Sequence, residues 1–238
     1  MKNLKNWDKK TWLSSSKYNL SIINFLEKRI KFTKEMKILD IGCGRGKIIS
    51  TFSKKYQMNT LPLGLDIVGH DEVEKNIRFA KINALEYLSK TKKKFDLILF
   101  KQSIHFFKFA EIKKILNFSK KILNPNGKII ILALHPKKSY WPLFKLFKTK
   151  LTQSLKKDEK ILNLIKFNFK KYKINYFIFK VKITKNSYLQ MIKNRFTSCL
   201  LNLSLKELKI GIEEIKKKYK KQRLIFSDKL ICIRYQKS

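Results

Sequence analysis

The sequence predicts an α/β protein built on a parallel β-sheet. Short apolar runs alternate with helical segments between residues 36 and 135. A turn that holds three of the chain's seven glycines follows the first apolar run directly, and an Asn-Pro-Asn-Gly turn signal precedes the last run of this region. Strands that alternate with helices are joined by crossover connections, which produce a parallel sheet.

The five apolar runs of this region are predicted as strands, in the order MKILDIG, TLPLGLDIV, NIRFAKINA, FDLILF and KIIILAL. Helices are predicted over Arg45–Lys55 and Phe109–Leu123, and one or two more within Asn6–Ile30, where apolar residues recur at helical spacing. Only ten residues separate Asp66 from Ile77, so the helix that would cross between those strands is predicted to be very short or absent.

The second part of the chain is predicted to continue with helices and one or two more strands. Residues 137–170 and 187–203 are expected to be helical, and NYFIFKVKI to be a strand. Ser204, followed three residues later by Glu207, is a capping box that predicts a helix to about Lys221. The segment RLIFSDKLICIRY is either one strand or a hairpin around Ser227–Asp228. Because no repeat or linker interrupts the 238 residues, one domain is the better prediction.

The charge balance is strongly basic, with 56 Lys and Arg against 17 Asp and Glu and a formal net charge of +39. Clustered cations are typical of proteins that bind nucleic acid. However, all but six of the basic residues are lysines and they lie in every segment, whereas phosphate and base recognition favours arginine. A lysine-rich composition is therefore the favoured explanation of the charge, and a polyanionic partner is the alternative.

The cysteines and the apolar runs indicate a cytoplasmic protein. Cys43, Cys199 and Cys232 lie far apart without the spacing of metal ligands, which predicts reduced thiols and no metal site. No apolar run approaches the ~20 residues of a membrane span. No signal peptide is recognised at the start of the sequence. We therefore expect no association with a membrane.

The segment ILDIGCGRGKIIS contains the strongest functional signal. Gly42, Gly44 and Gly46 lie between a predicted strand and a predicted helix, where glycine lets backbone N–H groups approach a ligand. Asp66 ends the next strand, about where a carboxylate accepts from both hydroxyls of a ribose. The alternatives are a tight turn without a ligand for the glycines and a helix cap or solvated strand end for Asp66.

Five motifs in order, LDIGCGRG, GLDI, INALEYL, FDLILFKQSIHFF and LNPNGKIIIL, resemble those of class I S-adenosylmethionine-dependent methyltransferases. The resemblance covers the chain up to about residue 135. It implies a Rossmann-like sheet of seven strands with helices on both faces. It also implies N-terminal lid helices in residues 1–34, a cofactor-binding core in 35–135, and a substrate lid with the last strands in 136–238.

The resemblance also implies S-adenosylmethionine as the cofactor and a set of residues that contact it. These are Asp40, Gly42, Cys43, Gly44, Gly46 and Lys101 for the methionine part, Asp66 for the ribose, and Ile67, Asn83 and Ala84 for the adenine. The family more often has Asp where Asn83 stands, but an Asn oxygen still accepts a hydrogen bond from the adenine amine. A turn residue is the alternative for Asn83.

His105 is the candidate catalytic residue. It follows the fourth strand, at the edge where such sheets bind ligands, and many relatives have histidine there. It would act as a general base or position the methyl acceptor. The alternative is a histidine packed by Phe106 and Phe107.

Two segments are candidates for contacts with the methyl acceptor. The N-terminal helix with Trp7, Trp12 and Tyr18 resembles the lid helix of small-molecule methyltransferases of type 11. The segment NSYLQMIKNRFTSCL resembles the second lid of the same broad group, which includes trans-aconitate methyltransferases. Tyr188 and Arg195 are seven residues apart and are expected on one helical face, where they would hold a polar or carboxylate substrate. The alternatives are core packing for the aromatic residues and a surface or cap position for Arg195.

The sequence therefore predicts methyl transfer to a small metabolite, with an anionic compound as one candidate. Motifs of enzymes that methylate exocyclic base amines or pyrimidine carbons are missing, the ribose-methylating tetrad is not evident, and no appended RNA-binding domain is obvious. An RNA methyltransferase that uses the basic surface is the first alternative. A non-catalytic partner subunit that binds the cofactor is the second.

Overall fold

The computed structural model describes residues 10–136 and 141–238, and these residues form seven strands and seven α-helices. The strands are β1 (Ile38–Ile41), β2 (Leu63–Asp66), β3 (Arg78–Lys81), β4 (Phe95–Lys101), β5 (Leu123–Leu134), β6 (Lys173–Thr184) and β7 (Arg223–Gln236). The helices are α1 (Ser16–Glu27), α2 (Lys47–Tyr56), α3 (Ala84–Lys90), α4 (Phe109–Lys121), α5 (Lys145–Phe169), α6 (Lys185–Lys193) and α7 (Leu205–Lys218). Three short 3-10 helices cover Trp12–Ser14, Ile104–Phe106 and Ser198–Leu200.

The strands form one sheet in the order β3-β2-β1-β4-β5-β7-β6, which confirms the predicted Rossmann-like sheet of seven strands. β1 pairs in parallel with both β2 and β4, so Asp40 lies opposite Gly64 on one side and Leu99 on the other. The chain proceeds from β1 towards β3 on one side and from β4 towards β5 on the other. The order therefore reverses between β1 and β4, and such a switch point opens a crevice at the carboxyl ends of the strands.

The chain divides into two compact units. The larger unit consists of Ile22–Ala133, Lys160–Phe177 and Leu230–Ser238. Its core is built from the inner strands, and all four residues of β1 are buried. Parallel strands covered on both faces are apolar throughout, which explains why ILDI and LILF are nearly continuous apolar runs.

The smaller unit consists of the described residues up to Ser21, with Leu134–Glu159 and Ile178–Lys229. Its centre is a cluster of buried aromatic rings around Trp12. The ring centroid of Trp12 lies 5.0 Å from that of Phe196, 5.2 Å from Phe226 and 5.5 Å from Trp141. None of the described helices is long and apolar enough to cross a bilayer.

Several local predictions are confirmed. No helix separates β2 from β3 in the described residues. Ser204 and Glu207 form the predicted capping box, with the Ser204 N–H donating to Glu207 Oε2 at 2.6 Å and the Glu207 N–H to Ser204 Oγ at 3.2 Å. The last segment is one strand, β7, and not a hairpin. The Asn124–Gly127 turn is a bulge inside β5, where pairing passes from Phe95 opposite Leu123 to Leu97 opposite Lys128.

The predicted helix over residues 187–203 is confirmed only in its first part, because α6 ends at Lys193. Arg195 has a left-handed φ of 52°. Its N–H donates to the carbonyl of Ile192, and the N–H of Phe196 to that of Met191, at 3.0 and 3.1 Å. These two bonds are a Schellman motif, which ends a helix and satisfies its last carbonyls. The reversal brings Phe196 into the aromatic cluster.

Candidate functional site

The glycine turn between β1 and α2 is held against β2 by backbone hydrogen bonds. The N–H groups of Gly42 and Cys43 donate to the carbonyl of Leu65, at 2.8 and 3.0 Å. The Cys43 side chain lies against Gly64 of β2, where an added Cβ would come within 2.6 Å of its Sγ. Burial raises the pKa of this thiol well above its ordinary value, so it is protonated at neutral pH.

The three glycines of the turn have different surroundings. Gly42, Gly44 and Gly46 have φ of 73°, 55° and 76°. A Cβ at Gly42 would approach Ser103 to 2.3 Å and one at Gly46 would approach Ile77 to 2.2 Å, whereas one at Gly44 would meet nothing within 4 Å. Gly42 and Gly46 therefore serve packing, and Gly44 leaves its backbone open to a ligand.

Asp66 at the end of β2 is an ionised carboxylate fixed by backbone amides. Its Oδ2 accepts from the Gly44 N–H and its Oδ1 from the Val68 N–H, both at 2.9 Å. His70 Nε2 lies 3.9 Å from Oδ2. Burial opposes ionisation, but the His70 imidazole and the two amides outweigh it and lower the pKa of Asp66. Two oxygens with four lone-pair positions retain capacity to accept from hydroxyl groups.

Asp40 in β1 is a buried carboxyl group with an unsatisfied oxygen. The residue is 3% exposed, and its Oδ1 has no hydrogen-bond partner. Burial raises the pKa of Asp40 to about 7, against the opposing charge of Lys101 and with a smaller contribution from Asp66. A buried acceptor of this kind is costly unless a donor reaches it, and a cation satisfies it best.

The segment after β4 places three polar residues at the same edge of the sheet. Lys101 ends β4, and its charge acts on Asp40. Ser103 Oγ donates to the carbonyl of Ile41 at 2.5 Å and so ties this segment to the end of β1. His105 lies in the 3-10 helix, with its ring 4.2 Å from that of the half-exposed Phe106.

The residues expected around an adenine lie at the next two strand ends. Ile67 directly follows Asp66 and is 47% exposed, which leaves an apolar side chain on the surface. Asn83 caps α3, since its Oδ1 accepts from the Leu85 N–H at 2.8 Å and from the Glu86 N–H at 3.4 Å. The cap competes with the predicted role of this oxygen as acceptor for an amine. Ala84 is the buried first residue of α3, where a backbone N–H lacks an intrahelical acceptor.

Two further features of this edge escaped sequence reasoning. The side chain of Ser103 occupies the space that a Cβ at Gly42 would fill. Nothing in the local sequence indicates that these two positions are in contact. The buried Arg45 lies 3.4 Å from Glu72, and its carbonyl accepts from the Glu74 N–H at 3.0 Å. The only sequence signal for these contacts of Arg45 with Glu72 and Glu74 is the excess of acidic residues between β2 and β3.

The four residues predicted to contact the acceptor lie in the smaller unit, and the placement of the three aromatic residues favours the core-packing alternative. Trp12, Tyr18 and Tyr188 are buried. Tyr18 donates to Asp228 Oδ2 at 2.7 Å, and Tyr188 donates to the Pro142 carbonyl at 2.6 Å.

Arg195 does not share a helical face with Tyr188, because it lies beyond the end of α6. Its Nη2 donates to the Leu203 carbonyl at 2.9 Å. The prediction of a polar pair on one helical face is therefore wrong. Trp7 lies outside the described residues.

Residues 32–199, well over half of the chain, match the family model described as a methyltransferase domain. The chain belongs to this methyltransferase family. It is an S-adenosylmethionine-dependent enzyme. The trans-aconitate-like subgroup stays a prediction, because the family model does not distinguish it. No curated protein matches the methyltransferase.

Solved structures resemble the methyltransferase along almost its whole length. A protein of Anabaena variabilis assigned as a methyltransferase of an antibiotic biosynthesis pathway is 14% identical, with 90% of this chain and 96% of that one covered and a TM-score of 0.63. A SAM-dependent methyltransferase of Archaeoglobus fulgidus is 19% identical, with 92% and 94% covered and a TM-score of 0.55. The plantazolicin methyltransferase BpumL, solved with S-adenosylhomocysteine, is 15% identical, with 100% and 90% covered and a TM-score of 0.55. At these identities the likeness concerns the fold.

The residues at this edge fit the cofactor. S-adenosylmethionine carries an ammonium group, which suits the unsatisfied Oδ1 of the buried Asp40. It carries two ribose hydroxyls, which suit the ionised Asp66. The open space at Gly44 lies between these two carboxylates along the chain, where backbone can approach the ligand.

Proposed function

We propose that this methyltransferase transfers a methyl group from S-adenosylmethionine to a small, anionic metabolite. The observation that carries the proposal is the grouping of two carboxylates, Asp40 and Asp66, with the cationic Lys101 at one edge of the sheet. The carboxylates suit the cofactor, and the cation favours an acceptor of the opposite charge.

The residues of the chain supply alignment. When bound, the cofactor provides a methyl group on a positively charged sulfur, which a nucleophile displaces in line. Such a reaction needs the two reactants held in position more than it needs covalent help from the protein. Asp40 would hold the ammonium, Asp66 the ribose hydroxyls, and the backbone at Gly44 would line the ligand between them. Lys101 would offset the negative charge of Asp40 while the site is empty of cofactor.

His105 is proposed as the group that accepts the acceptor's proton or holds the acceptor in place. It follows β4, whose end lies beside the end of β1 in the sheet. An imidazole exchanges protons near neutral pH, so it suits a hydroxyl, thiol or amine acceptor. Its ring lies 4.2 Å from that of Phe106, an apolar neighbour.

The names of similar structures support a small acceptor without identifying it. The Anabaena variabilis protein is assigned to antibiotic biosynthesis, and BpumL is named for plantazolicin. Both names concern specialised compounds. An RNA acceptor is the alternative, and the net charge of +39 is the observation in its favour.

The test is transfer of a labelled methyl group from S-adenosylmethionine to a panel of small carboxylates and phosphates, with a total RNA fraction assayed in parallel. We expect label in at least one small anion, with turnover that changes little with salt. Asp66→Ala should lose cofactor binding in calorimetry. Asp96→Asn, a change to a carboxylate that bonds Lys37 and Asn124 instead, is the matched control and should keep it. Label found only in RNA, with a steep salt dependence, would refute the small-molecule proposal.

A further inference from the structure

The end of α5 and the start of β6 form a basic and aromatic strip in the larger unit. It comprises Lys166, Phe167, Lys170, Lys171, Tyr172, Lys173 and Tyr176. We propose that this strip binds single-stranded RNA. The proposal goes beyond the proposed function, because it concerns a binding surface and not the group that accepts the methyl.

The strip lies in a long region of the sequence that has no acidic residue. Between Glu159 and Glu207 there is neither Asp nor Glu, while the same stretch contains eleven Lys and Arg residues. Lys170, Lys171 and Lys173 are exposed. Residues 112–157 also lack Asp and Glu and contain twelve lysines, so the strip is set apart by the exposed aromatic rings that lie among its exposed lysines and not by its charge alone.

A lysine of α4 lies beside the lysines of the strip. Lys120 of α4 donates to the Asn168 carbonyl at 3.2 Å, which places it beside the end of α5. Burial and the neighbouring charge of Lys170 both lower the pKa of Lys120. Like charges held this close repel one another, and the phosphates of a nucleic acid relieve the repulsion.

The aromatic residues of the strip are exposed because their neighbours hold the backbone in place. Phe169 is buried and stacks on Tyr235 at 4.8 Å, and Phe177 is buried against Phe25 at 5.5 Å. Phe167, two residues before Phe169, is 80% exposed, and Tyr176, next to Phe177, is 55% exposed. Exposed rings beside exposed lysines match the requirement of single-stranded nucleic acid, whose bases stack on aromatic side chains while cations bind the phosphates.

The shape of the strip favours RNA over a membrane surface. A membrane surface is typically bound by an amphipathic helix with its aromatic residues on one face. Here the aromatic residues continue from the last turn of α5 into the extended chain of β6. Aromatic side chains spaced along an extended chain can stack on the unpaired bases of a single strand. The bases of an RNA duplex are paired and lie in a deep, narrow major groove, so they are not accessible in this way.

The experiment is fluorescence anisotropy of a labelled oligouridine of about 12 nucleotides, a length within the range that single-strand sites cover. It is performed on the full chain without cofactor, between about 50 and 200 mM KCl. The lysine variant is Lys170→Gln/Lys171→Gln/Lys173→Gln. Its slope of log K against log salt should be smaller by about 2, since each phosphate contact to a single strand contributes about 0.7.

The aromatic variant separates stacking from charge. Phe167→Ala/Tyr176→Ala should weaken binding by roughly tenfold for each ring and leave the salt slope unchanged. Both side chains are exposed, so the fold should tolerate their removal. The matched control is Lys92→Gln/Lys93→Gln/Lys209→Gln, which removes the same charge from exposed lysines elsewhere and should keep the wild-type slope.

Three results would overturn the proposal. The control variant could lose as much binding as the lysine variant, which would mean that total charge alone binds RNA. The aromatic variant could bind like wild type, which would exclude stacking. The chain could bind vesicles of anionic phospholipid more tightly than RNA and lose that binding in both strip variants, which would assign the strip to a membrane surface.

Discussion

Binding of the cofactor's product form, S-adenosylhomocysteine, should release a proton from Asp40 below pH 7. In the free protein the pKa of Asp40 is about 7 because the carboxyl is buried. The ligand's ammonium favours the ionised carboxylate, so the ligand binds well only after the proton has left. The affinity should therefore rise with pH up to about 7.

The magnitude follows from the fraction of Asp40 that is ionised. With a pKa of about 7, roughly 3% of the free protein is ionised at pH 5.5 and about half at pH 7. The apparent affinity should then increase about sixteenfold over this range, and about one proton should be released per ligand bound at pH 5.5. The ligand's own amino group stays protonated throughout, because α-amino groups titrate near pH 8.

Calorimetry in two buffers of different ionisation enthalpy measures the released proton directly. Asp40→Asn is the decisive variant, since it retains the shape of the side chain and cannot lose a proton. Lys101 and Asp66 act on the charge of Asp40, and both carboxylates act on Cys43. His70 lies 3.9 Å from Asp66. His70→Gln therefore serves as the control and should release the same proton as wild type.

The raised pKa of Asp40 also predicts how the free energy of unfolding changes with pH. The folded-state pKa of Asp40 lies above its ordinary value of 3.8, so the contribution of this group to stability is fully present below pH 4 and is lost as pH rises through about 7. The loss amounts to about 4 kcal/mol, because each pKa unit corresponds to about 1.4 kcal/mol. Asp40→Asn should be more stable than wild type at pH 8.

Equal proton release by Asp40→Asn and wild type would refute the assignment of the proton to this residue.

The remaining predictions concern the turn, the cap and the candidate base. Gly44→Ala should lower cofactor affinity by at least tenfold in calorimetry, with a cost of about 1 kcal/mol to unfolding from its positive φ. Gly46→Ala should instead mainly destabilise the fold, because its methyl would meet Ile77. Asn83→Ala should lower the free energy of unfolding by about 1 kcal/mol by removing the cap of α3. Asn83→Asp should keep both stability and cofactor affinity. His105→Gln should reduce kcat by about 100-fold or more with little change in cofactor affinity. A wild-type kcat in His105→Gln would leave it only a packing role.

Much of the fold could be predicted from local sequence patterns. The inner strands are nearly continuous apolar runs because both sheet faces are covered, and the Ser204–Glu207 capping box lies within one turn of helix. The missing helix between β2 and β3 followed from chain length alone. Each of these features depends on residues close together in the sequence.

The end of α6 could not be predicted in the same way. Residues 187–203 have no glycine or proline, so the local pattern gives no reason for a helix to stop. A Schellman motif nevertheless forms with Arg195 in a left-handed conformation. The gain comes from burying Phe196 among rings that are far away in the sequence, and this gain outweighs the cost of a non-glycine residue at positive φ.

The sequence by itself indicated the cofactor, because five motifs in order resemble those of class I S-adenosylmethionine-dependent methyltransferases. The glycines between β1 and α2, and Asp66 at the end of β2, lie in the order that any parallel sheet brings to one edge. The tertiary structure decided the rest. It assigned Ser103 to the space at Gly42, the oxygen of Asn83 to a helix cap, and Tyr188 to the core. Those assignments depend on which side chains meet after folding, and burial and hydrogen-bond geometry are properties of the folded chain that no local pattern contains.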